Sequence, residues 1–330
     1  MRLSLRYDMR QPSFGASSEA LYKAVLDQCD WADRLGFNRV QLGEHHGAED
    51  GYLPSSIVLA SAIAARTRTI EIHLSALLIP MHHPLRLAED LAVADIVSGG
   101  RLAITAGMGY RPHEFEMLGV DYVRRLKIFL DGIAVLQKAW TGEPFIFEGR
   151  TVCVTPKPLQ QGGPRITMGG STEMSARRAA RMGLDYAPAL PELYEIYREE
   201  RLKQGLPESK PLNYPKPSFI FVTINPDRDW PIVAPHIIYT TNSYVKWATE
   251  RKGGGDTPYK PAATIEELKK QPIFQVVTPE QCIAYCAAQT PNDEVQIQPL
   301  LGGLDPAVSW KSLELFETAV LPELRRRGIR

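Results

Sequence analysis

The 330-residue chain has no surplus of either charge, because its 38 lysines and arginines balance 38 aspartates and glutamates. The charged residues form no block of one sign. Proteins that bind nucleic acid or acidic membranes usually carry a basic patch or stripe, so neither partner is predicted. We expect a small-molecule partner instead.

Long hydrophobic runs are also missing from the sequence. Arg2, Arg6, Asp8 and Arg10 interrupt the N-terminus before the apolar core of a signal peptide could form. No later segment supplies the roughly 18 uncharged apolar residues that a transmembrane helix requires. We therefore predict no membrane association and a cytoplasmic location.

Cysteines are few, and no two have the CxxC spacing typical of metal knuckles. The four are Cys29, Cys153, Cys282 and Cys286. We interpret all of them as reduced, apolar filling residues.

Strand and helix patterns alternate along almost the whole chain, which is 44% hydrophobic and can bury a large core. Strands are predicted at residues 2–8, 38–43, 69–79, 101–107, 165–169, 184–189, 217–224 and 294–300. Amphipathic helices are predicted at 17–35, 55–66, 84–97, 122–140, 172–183, 191–204, 229–251 and 310–327. Eight repeats, with no GxGxxG turn after the first strand, favour a closed α/β barrel of the (β/α)8 TIM type. We predict one domain over residues 1–330.

Two stretches depart from the repeat. Residues 143–156 alternate around Glu148-Gly149-Arg150 and predict a hairpin inserted after the fourth helix. Residues 252–280, before the eighth strand, contain three consecutive glycines, four prolines and a short helical run at 264–270. Long connections in compact domains are often lids, so we predict a mobile cover for an active site.

Four of the seven histidines form two doublets. Glu44-His45-His46 follows the buried-strand pattern of residues 37–43, and His82-His83 follows that of residues 70–79. Loops at the carboxyl ends of parallel strands line the ligand crevice of α/β proteins. Titratable groups concentrated there favour an enzyme.

Further motifs follow the later strands in order. They are Gly100-Arg101-Leu102, Gly107-Met108-Gly109-Tyr110, His113-Glu114-Phe115 with Leu118-Gly119, and Met168-Gly169-Gly170-Ser171. Together with the two histidine doublets, they resemble the bacterial luciferase-like monooxygenase family over roughly residues 1–190 and again from Thr278 onward. The resemblance implies a TIM barrel, usually dimeric, that binds reduced FMN or the deazaflavin F420 at the barrel mouth.

The resemblance places parts of the third repeat beside the flavin. It implies a non-proline cis peptide between Ser75 and Ala76, forming a bulge behind the isoalloxazine ring; a regular strand with small residues is the plain alternative. It also places His83 near the flavin. His82 is expected to point away.

Gly107-Met108-Gly109-Tyr110 supplies the small residues that let a flat ring lie against backbone. We predict that Gly107, Met108 and Tyr110 contact the flavin, and a glycine turn flanked by core residues fits the same pattern. In the family, luciferases place a phosphate-binding arginine after strand four. Met108 stands at that position and departs from the family's pattern.

Gly169-Gly170-Ser171-Thr172 closes the fifth strand and opens a helix. Bare glycine backbone, amide groups and the positive end of a helix attract phosphate. We predict that these four residues hold the flavin phosphate, with added charge from Arg177 or Arg178. An ordinary helix cap is the alternative.

His45 is the predicted catalytic residue. A reduced flavin that reacts with O2 gives a C4a-(hydro)peroxide, whose fate depends on proton delivery and on exclusion of water. Imidazole titrates near neutral pH and can supply or accept that proton. The resemblance assigns this role to the first histidine of the doublet, with Glu44 orienting or polarising its ring.

A metal-dependent hydrolase is the main rival interpretation. Glu44, His45, His46 and His83 are ligand types that suit zinc or iron. Barrel hydrolases usually begin with His-x-His after the first strand, where residues 7–10 of this chain read Tyr-Asp-Met-Arg. Consecutive side chains also tend to diverge. We therefore predict no metal site.

We predict a reduced-FMN-dependent monooxygenase that acts on a small organic substrate, receives FMNH2 from a separate flavin reductase, and forms a homodimer. An F420-dependent oxidoreductase that transfers hydride is the second hypothesis; the glutamate at Glu44, where F420 relatives often have aspartate, favours FMN. The third is a flavin-binding protein without turnover, which needs the Gly169 to Thr172 segment but not His45.

Overall fold

The computed structural model describes residues 1–207, 215–216, 219–250, 257 and 259–330. Its strands are β1 Arg2–Tyr7, β2 Arg39–Leu42, β3 Glu71–Leu78, β4 Leu102–Gly107, β5 Phe145–Phe147, β6 Arg150–Val152, β7 Arg165–Gly170, β8 Asp185–Pro188, β9 Pro215–Lys216, β10 Phe219–Val222, β11 Phe274–Val277 and β12 Glu294–Ile297. Its helices are α1 Ser18–Arg34, α2 Ser56–Arg66, α3 Pro84–Ser98, α4 Pro112–Met117, α5 Arg125–Ala139, α6 Glu173–Arg181, α7 Leu193–Lys203, α8 Pro226–Glu250, α9 Ile265–Lys269, α10 Pro279–Ala287, α11 Pro306–Leu315 and α12 Leu321–Arg326.

Eight parallel strands form the central sheet, in the order β8-β7-β4-β3-β2-β1-β12-β9. Alternate positions such as Leu3, Val40 and Ile72 are fully buried in an apolar core shared with the helices. The positions between them are polar: Gln41 donates to Glu294 across the sheet at 2.7 Å. The sheet therefore separates an apolar layer beneath the helices from a polar interior, whereas barrel interiors are usually filled by branched apolar side chains.

The predicted α/β class with a parallel sheet is confirmed, and the structure contains a strand or helix at each of the sixteen predicted segments. The sheet curls into a half-barrel, and in the described part of the chain β8 and β9 form its two unpaired edges. The predicted strand 217–224 is present as β10, but it pairs with β11 instead of joining the central sheet. Helices α4 and α10 and strands β9 and β11 were not among the predicted segments, because each is too short to show a clear periodicity.

The first departure from the repeat contains an antiparallel pair. β5 and β6 follow α5 and are joined through Glu148 and Gly149, whose φ angles are +49° and +76°. Positive φ at both central residues is typical of a two-residue hairpin turn. The pair lies within the stretch predicted to form a hairpin.

The predicted cover, residues 252–280, is partly outside the described residues, which omit 252–256 and 258. The described remainder contains α9 and β11, and its Leu268 and Phe274 are buried in a second apolar cluster with Phe219 and Val233. This portion is a packed layer against α8 and β10, and its role as a mobile cover of an active site stays a prediction. Burial of its apolar side chains stabilises this packed arrangement, and an exposed loop would lose that stabilisation.

No helix among the described residues combines the length and apolar character needed to cross a bilayer.

Arg101, immediately before β4, ties this strand to the end of α2. Its guanidinium donates to the carbonyl oxygens of Ala64 and Thr67, both at 3.1 Å. It also donates to the carbonyl of Ile70 at 2.9 Å and to that of Ser98 at 2.6 Å. One half-buried side chain thus satisfies carbonyl groups that two turns leave without backbone partners.

We predict that Arg101→Met lowers the free energy of unfolding by about 2–3 kcal/mol, because several carbonyl acceptors lose their donor together. Chemical denaturation monitored by circular dichroism measures the change. Arg68→Met is the control: this residue is exposed, so its replacement should change stability by less than about 0.5 kcal/mol. Equal midpoints for both variants would contradict the role of Arg101.

Candidate active site

His45 is held by a carboxylate from another repeat. It follows β2, and its Nδ1 lies 2.7 Å from Oε1 of Glu114 in α4. The same oxygen accepts the backbone amide of His46 at 3.0 Å. Glu114 is fully buried. Because Nδ1 donates to this carboxylate, the neutral ring presents an unprotonated Nε2.

Burial lowers the pKa of His45 below its ordinary value, and the hydrogen bond to Glu114 offsets this only in part. The imidazole is therefore neutral near pH 7. A neutral imidazole oriented by a carboxylate is suited to accept a proton at Nε2 and to return it.

An aromatic box surrounds the His45 ring. The ring centroids of Tyr52 and Trp247 each lie 4.8 Å from that of His45. Those of Tyr110 and Tyr244 lie at 5.6 and 6.3 Å. Two of these residues come from α8, in the C-terminal part of the chain. The box removes His45 from bulk water, as chemistry sensitive to water requires.

Trp247 is itself packed between two arginines. The guanidinium carbons of Arg10 and Arg111 lie 4.3 and 4.1 Å from its ring centroid. Arg10 is fully buried and pairs with Asp50 at 2.5 Å. These cation–π contacts fix the end of α8 over the strand ends.

Glu44 is the centre of a second buried network. Its Oε1 accepts from Nε2 of His82 at 3.0 Å and of His46 at 3.2 Å, and its Oε2 accepts from the Ser56 hydroxyl at 2.7 Å. Burial opposes ionisation, but these hydrogen bonds prevail and lower the pKa of Glu44 to about 2. Glu44 was expected to orient His45. Glu114 does this instead, and Glu44 binds the other histidine of the doublet.

The two members of the second doublet are oriented opposite to expectation. His82, expected to point away, turns inward to Glu44. His83 is exposed, and its ring packs 5.8 Å from Phe147 of the hairpin. The short 3-10 helix Ile79–Met81 precedes them and sets this direction. The ligands of the rival metal interpretation are not brought together as one set, because Glu44 groups with His46 and His82 and not with His45 or His83.

The peptide between Ser75 and Ala76 is cis, as the resemblance implies. The register of β3 against β4 shifts at this point, between Ser75 and Leu77. Gly107, at the end of β4, packs directly on the bulge: a Cβ there would lie 2.9 Å from that of Ala76. Bare backbone and small side chains thus form a continuous surface across two strand ends.

The turn between β7 and α6 forms a complete helix cap. The Thr172 hydroxyl accepts the amide of Ser175, and the Ser175 hydroxyl accepts the amide of Thr172, both at 3.2 Å. This reciprocal pattern is a capping box. The cap engages the hydroxyl and the amide of Thr172, one of the four residues predicted to hold the phosphate. Gly170 leaves no room for a side chain, since a Cβ there would lie 2.2 Å from the Ser175 hydroxyl.

Three functional groups were not assigned roles from the sequence: Glu114, Arg111 and the aromatic pair Tyr244 and Trp247. Glu114 stands in a motif noted after strand four, but nothing local indicates that it reaches His45, 69 residues away. The aromatic pair lies one turn apart on a predicted amphipathic helix, which more often indicates a core face.

Comparison with known proteins gives the family. The model for luciferase-like monooxygenases matches residues 1–267. The chain belongs to the luciferase-like monooxygenase family.

Among curated relatives, the oxygenase component of flavin-dependent trigonelline monooxygenase from Acinetobacter baylyi is 28% identical over 172 residues, which are 50% of this chain and 48% of that protein. The chain spans about half the length of the curated relatives that it matches first.

Two solved structures have the same fold. The oxygenating constituent of 3,6-diketocamphane monooxygenase from Pseudomonas putida, solved with FMN, aligns with a TM-score of 0.75 at 19% identity over 98% of each chain. An F420-dependent secondary alcohol dehydrogenase aligns with a TM-score of 0.67 at 15% identity, over 93% of this chain and 97% of that one.

Glycines leave open backbone at several strand ends of this luciferase-like protein. Besides Gly107 and the bulge, Gly169 approaches β4 so closely that a Cβ would lie 3.0 Å from Thr105 Cγ2. Gly169 is half-buried at the end of its strand, as are Met108 and Tyr110 after theirs. These small residues form a partly exposed surface at neighbouring strand ends, bordered by the aromatic ring of Tyr110.

The low pKa of Glu44 predicts a pH-dependent contribution to stability. Its pKa is about 2 in the folded protein against 4.5 for an ordinary glutamate, so the contribution is present above pH 4.5 and is lost as the pH falls toward 2. We expect Glu44→Gln to cost about 3 kcal/mol at neutral pH and to reduce the slope of stability in that window. Urea denaturation at pH 7 and across pH 2–5 measures both effects. The exposed Glu49→Gln is the control, and an equally steep acid slope in Glu44→Gln would refute the assignment.

Proposed function

We propose that the protein is a reduced-FMN-dependent monooxygenase that inserts oxygen into a small organic substrate. The observation that carries the proposal is the position of His45. Its ring is neutral, oriented by Glu114, enclosed by aromatic side chains and next to Tyr110, which borders the surface of small residues at the strand ends. Two similar proteins support this activity. The trigonelline monooxygenase is described as flavin-dependent, and the 3,6-diketocamphane monooxygenase was solved with FMN.

The flavin ring would lie on the surface of Ser75, Ala76 and Gly107, bordered by Met108 and Tyr110. When bound, reduced flavin supplies the electrons that activate O2. His45 would accept or deliver a proton through Nε2, with Glu114 as its positioning residue.

The flavin phosphate would lie at the β7–α6 turn, beside Gly169, Gly170 and Ser171. Thr172 stands in the same turn as the N-cap residue. Arg177 pairs with Glu200 at 3.4 Å and is partly neutralised there. His83 would meet the flavin only from the exposed edge of the site.

We further propose that a separate reductase delivers FMNH2. The relative named as an oxygenase component supports this division, and no GxGxxG motif follows the first strand to bind a nicotinamide. We propose a homodimer as well, because α2 and α3 pack together and expose Val58, Val93, Ile96 and Val97.

The affinity of the protein for each cofactor distinguishes FMN from F420. We expect reduced FMN, titrated anaerobically, to bind at micromolar concentration, and F420 to bind at least about tenfold more weakly. Quenching of the protein's tryptophan fluorescence measures both constants. One structural neighbour is F420-dependent, so F420 is the alternative cofactor to test. Micromolar binding of F420 without binding of FMNH2 would overturn the FMN proposal in favour of the F420-dependent oxidoreductase.

The third hypothesis, flavin binding without turnover, is tested at His45. We expect His45→Gln to retain FMNH2 affinity and melting temperature. The rate at which bound flavin is reoxidised by O2 should fall about 100-fold, because acid–base catalysis is lost. Stopped-flow absorbance at varied pH records the rate. The wild-type rate should depend on pH below the ordinary histidine value of 6.5, since the pKa of His45 is lowered from it, and the variant should lose this dependence. The exposed His113→Gln is the control. An unchanged rate and pH profile would remove His45 from the chemistry.

A further inference from the structure

Beside His45 lies a cluster that the proposed proton transfer does not use. It comprises Oε1 of Glu44 and the Nε2 atoms of His46 and His82, all within 4.8 Å of one another. Glu44 and His46 belong to the loop after β2, and His82 belongs to the segment after β3. Two separate elements thus direct three potential ligand atoms to one point.

The charge of Glu44 lacks a cationic partner of fixed charge. Among the residues that the structure describes, its ion pairs are with His46 and His82 only, and neither lysine nor arginine joins them. The other donors are the Ser56 hydroxyl and the Leu78 amide. Buried charges in proteins are usually paired or bound to a metal.

The spacing of the three atoms suits a small divalent cation. Zinc binds imidazole nitrogen and carboxylate oxygen at about 2.0–2.2 Å, so two such ligands in tetrahedral arrangement stand about 3.4 Å apart. Oε1 of Glu44 lies 3.0 Å from His82 Nε2 and 3.2 Å from His46 Nε2. Movements of a few tenths of an ångström would bring these two spacings to that value, and the two imidazole nitrogens lie within 4.8 Å of each other.

The surroundings also match those of a metal site. The hydroxyl of Ser56 orients Glu44 through its second oxygen, as outer hydrogen bonds orient metal ligands. The side chain of His82 is 25% exposed, whereas that of Glu44 is 1% exposed. The exposed side leaves an entry path and a fourth coordination position for water.

We propose that Glu44, His46 and His82 form a zinc-binding site that joins the loop after β2 to the segment after β3. Two histidines and one glutamate are an established zinc donor set. The site is independent of the proposed flavin chemistry. Its ligands are not those of the rival metal set considered from the sequence, since His82 takes the place of His83 and His45 is bound to Glu114.

The test is titration of the full-length, chelator-treated, flavin-free protein with zinc chloride by calorimetry. We expect one equivalent to bind at micromolar concentration and to raise the melting temperature, because a ligand that binds only the folded state stabilises it. In His82→Gln, the amide can still donate to Glu44 but cannot replace imidazole as a ligand. Zinc affinity should fall at least tenfold, on the order of what metal sites lose on such changes.

His83→Gln is the matched control, since His83 is exposed and lies outside the cluster. The zinc affinity of this variant should equal that of the wild type. His46→Gln, expected to weaken binding as His82→Gln does, provides a second variant should the first fail to fold. No binding by the wild type below about 1 mM zinc, or equal affinity in the wild type and the folded cluster variants, overturns the proposal and leaves a hydrogen-bonded cluster only.

Discussion

One carboxylate oxygen sets the geometry of the candidate site. Oε1 of Glu114 binds the ring of His45 and the backbone amide of His46, so it fixes both the side chain and the chain direction after β2. The oxygen is fully enclosed, with Arg111 3.8 Å away. In this low-dielectric position, a charge-assisted hydrogen bond resists exchange with water. The aromatic box and the contact with Tyr110 depend on the ring orientation that this bond imposes.

The histidine doublet serves two networks because adjacent side chains diverge. His45 turns to Glu114, whereas His46 turns to Glu44, and each carboxylate has separate partners. The two glutamates at this rim therefore differ in their hydrogen-bond partners, although their side chains are chemically identical. Glu44 collects donors that keep it ionised far below neutral pH. Glu114 holds a neutral imidazole whose second nitrogen remains available. The proposed catalytic pair of His45 and Glu114 therefore lies beside the anionic Glu44 cluster without sharing its hydrogen-bond partners.

The sequence predicted the features that depend on local pattern. Buried-strand periodicity located the strand ends, and the position of the doublets there indicated the rim. The cis peptide at Ser75 came from the family resemblance alone, since no local pattern encodes it. The partner of His45 was missed because Glu114 is 69 residues away and meets it only when β2 and the segment after β4 share one edge. The orientation of His82 depends on a single 3-10 turn, and the pairing of β10 with β11 depends on a packed apolar cluster. Neither feature produces a hydrophobic periodicity in the sequence.

Helix α8 connects the site to the second apolar cluster. Trp230, Val233 and Ile237 in its first half are buried in that cluster, and Tyr244 and Trp247 in its second half cover His45. The strand ends thus supply the polar groups, while a helix anchored elsewhere supplies the wall that excludes water. Because Tyr244 and Trp247 lie on the helix whose first half is buried in that cluster, packing in the cluster helps to position the side chains that enclose His45. Exclusion of water from His45 is therefore a property of the C-terminal packing as much as of the barrel rim.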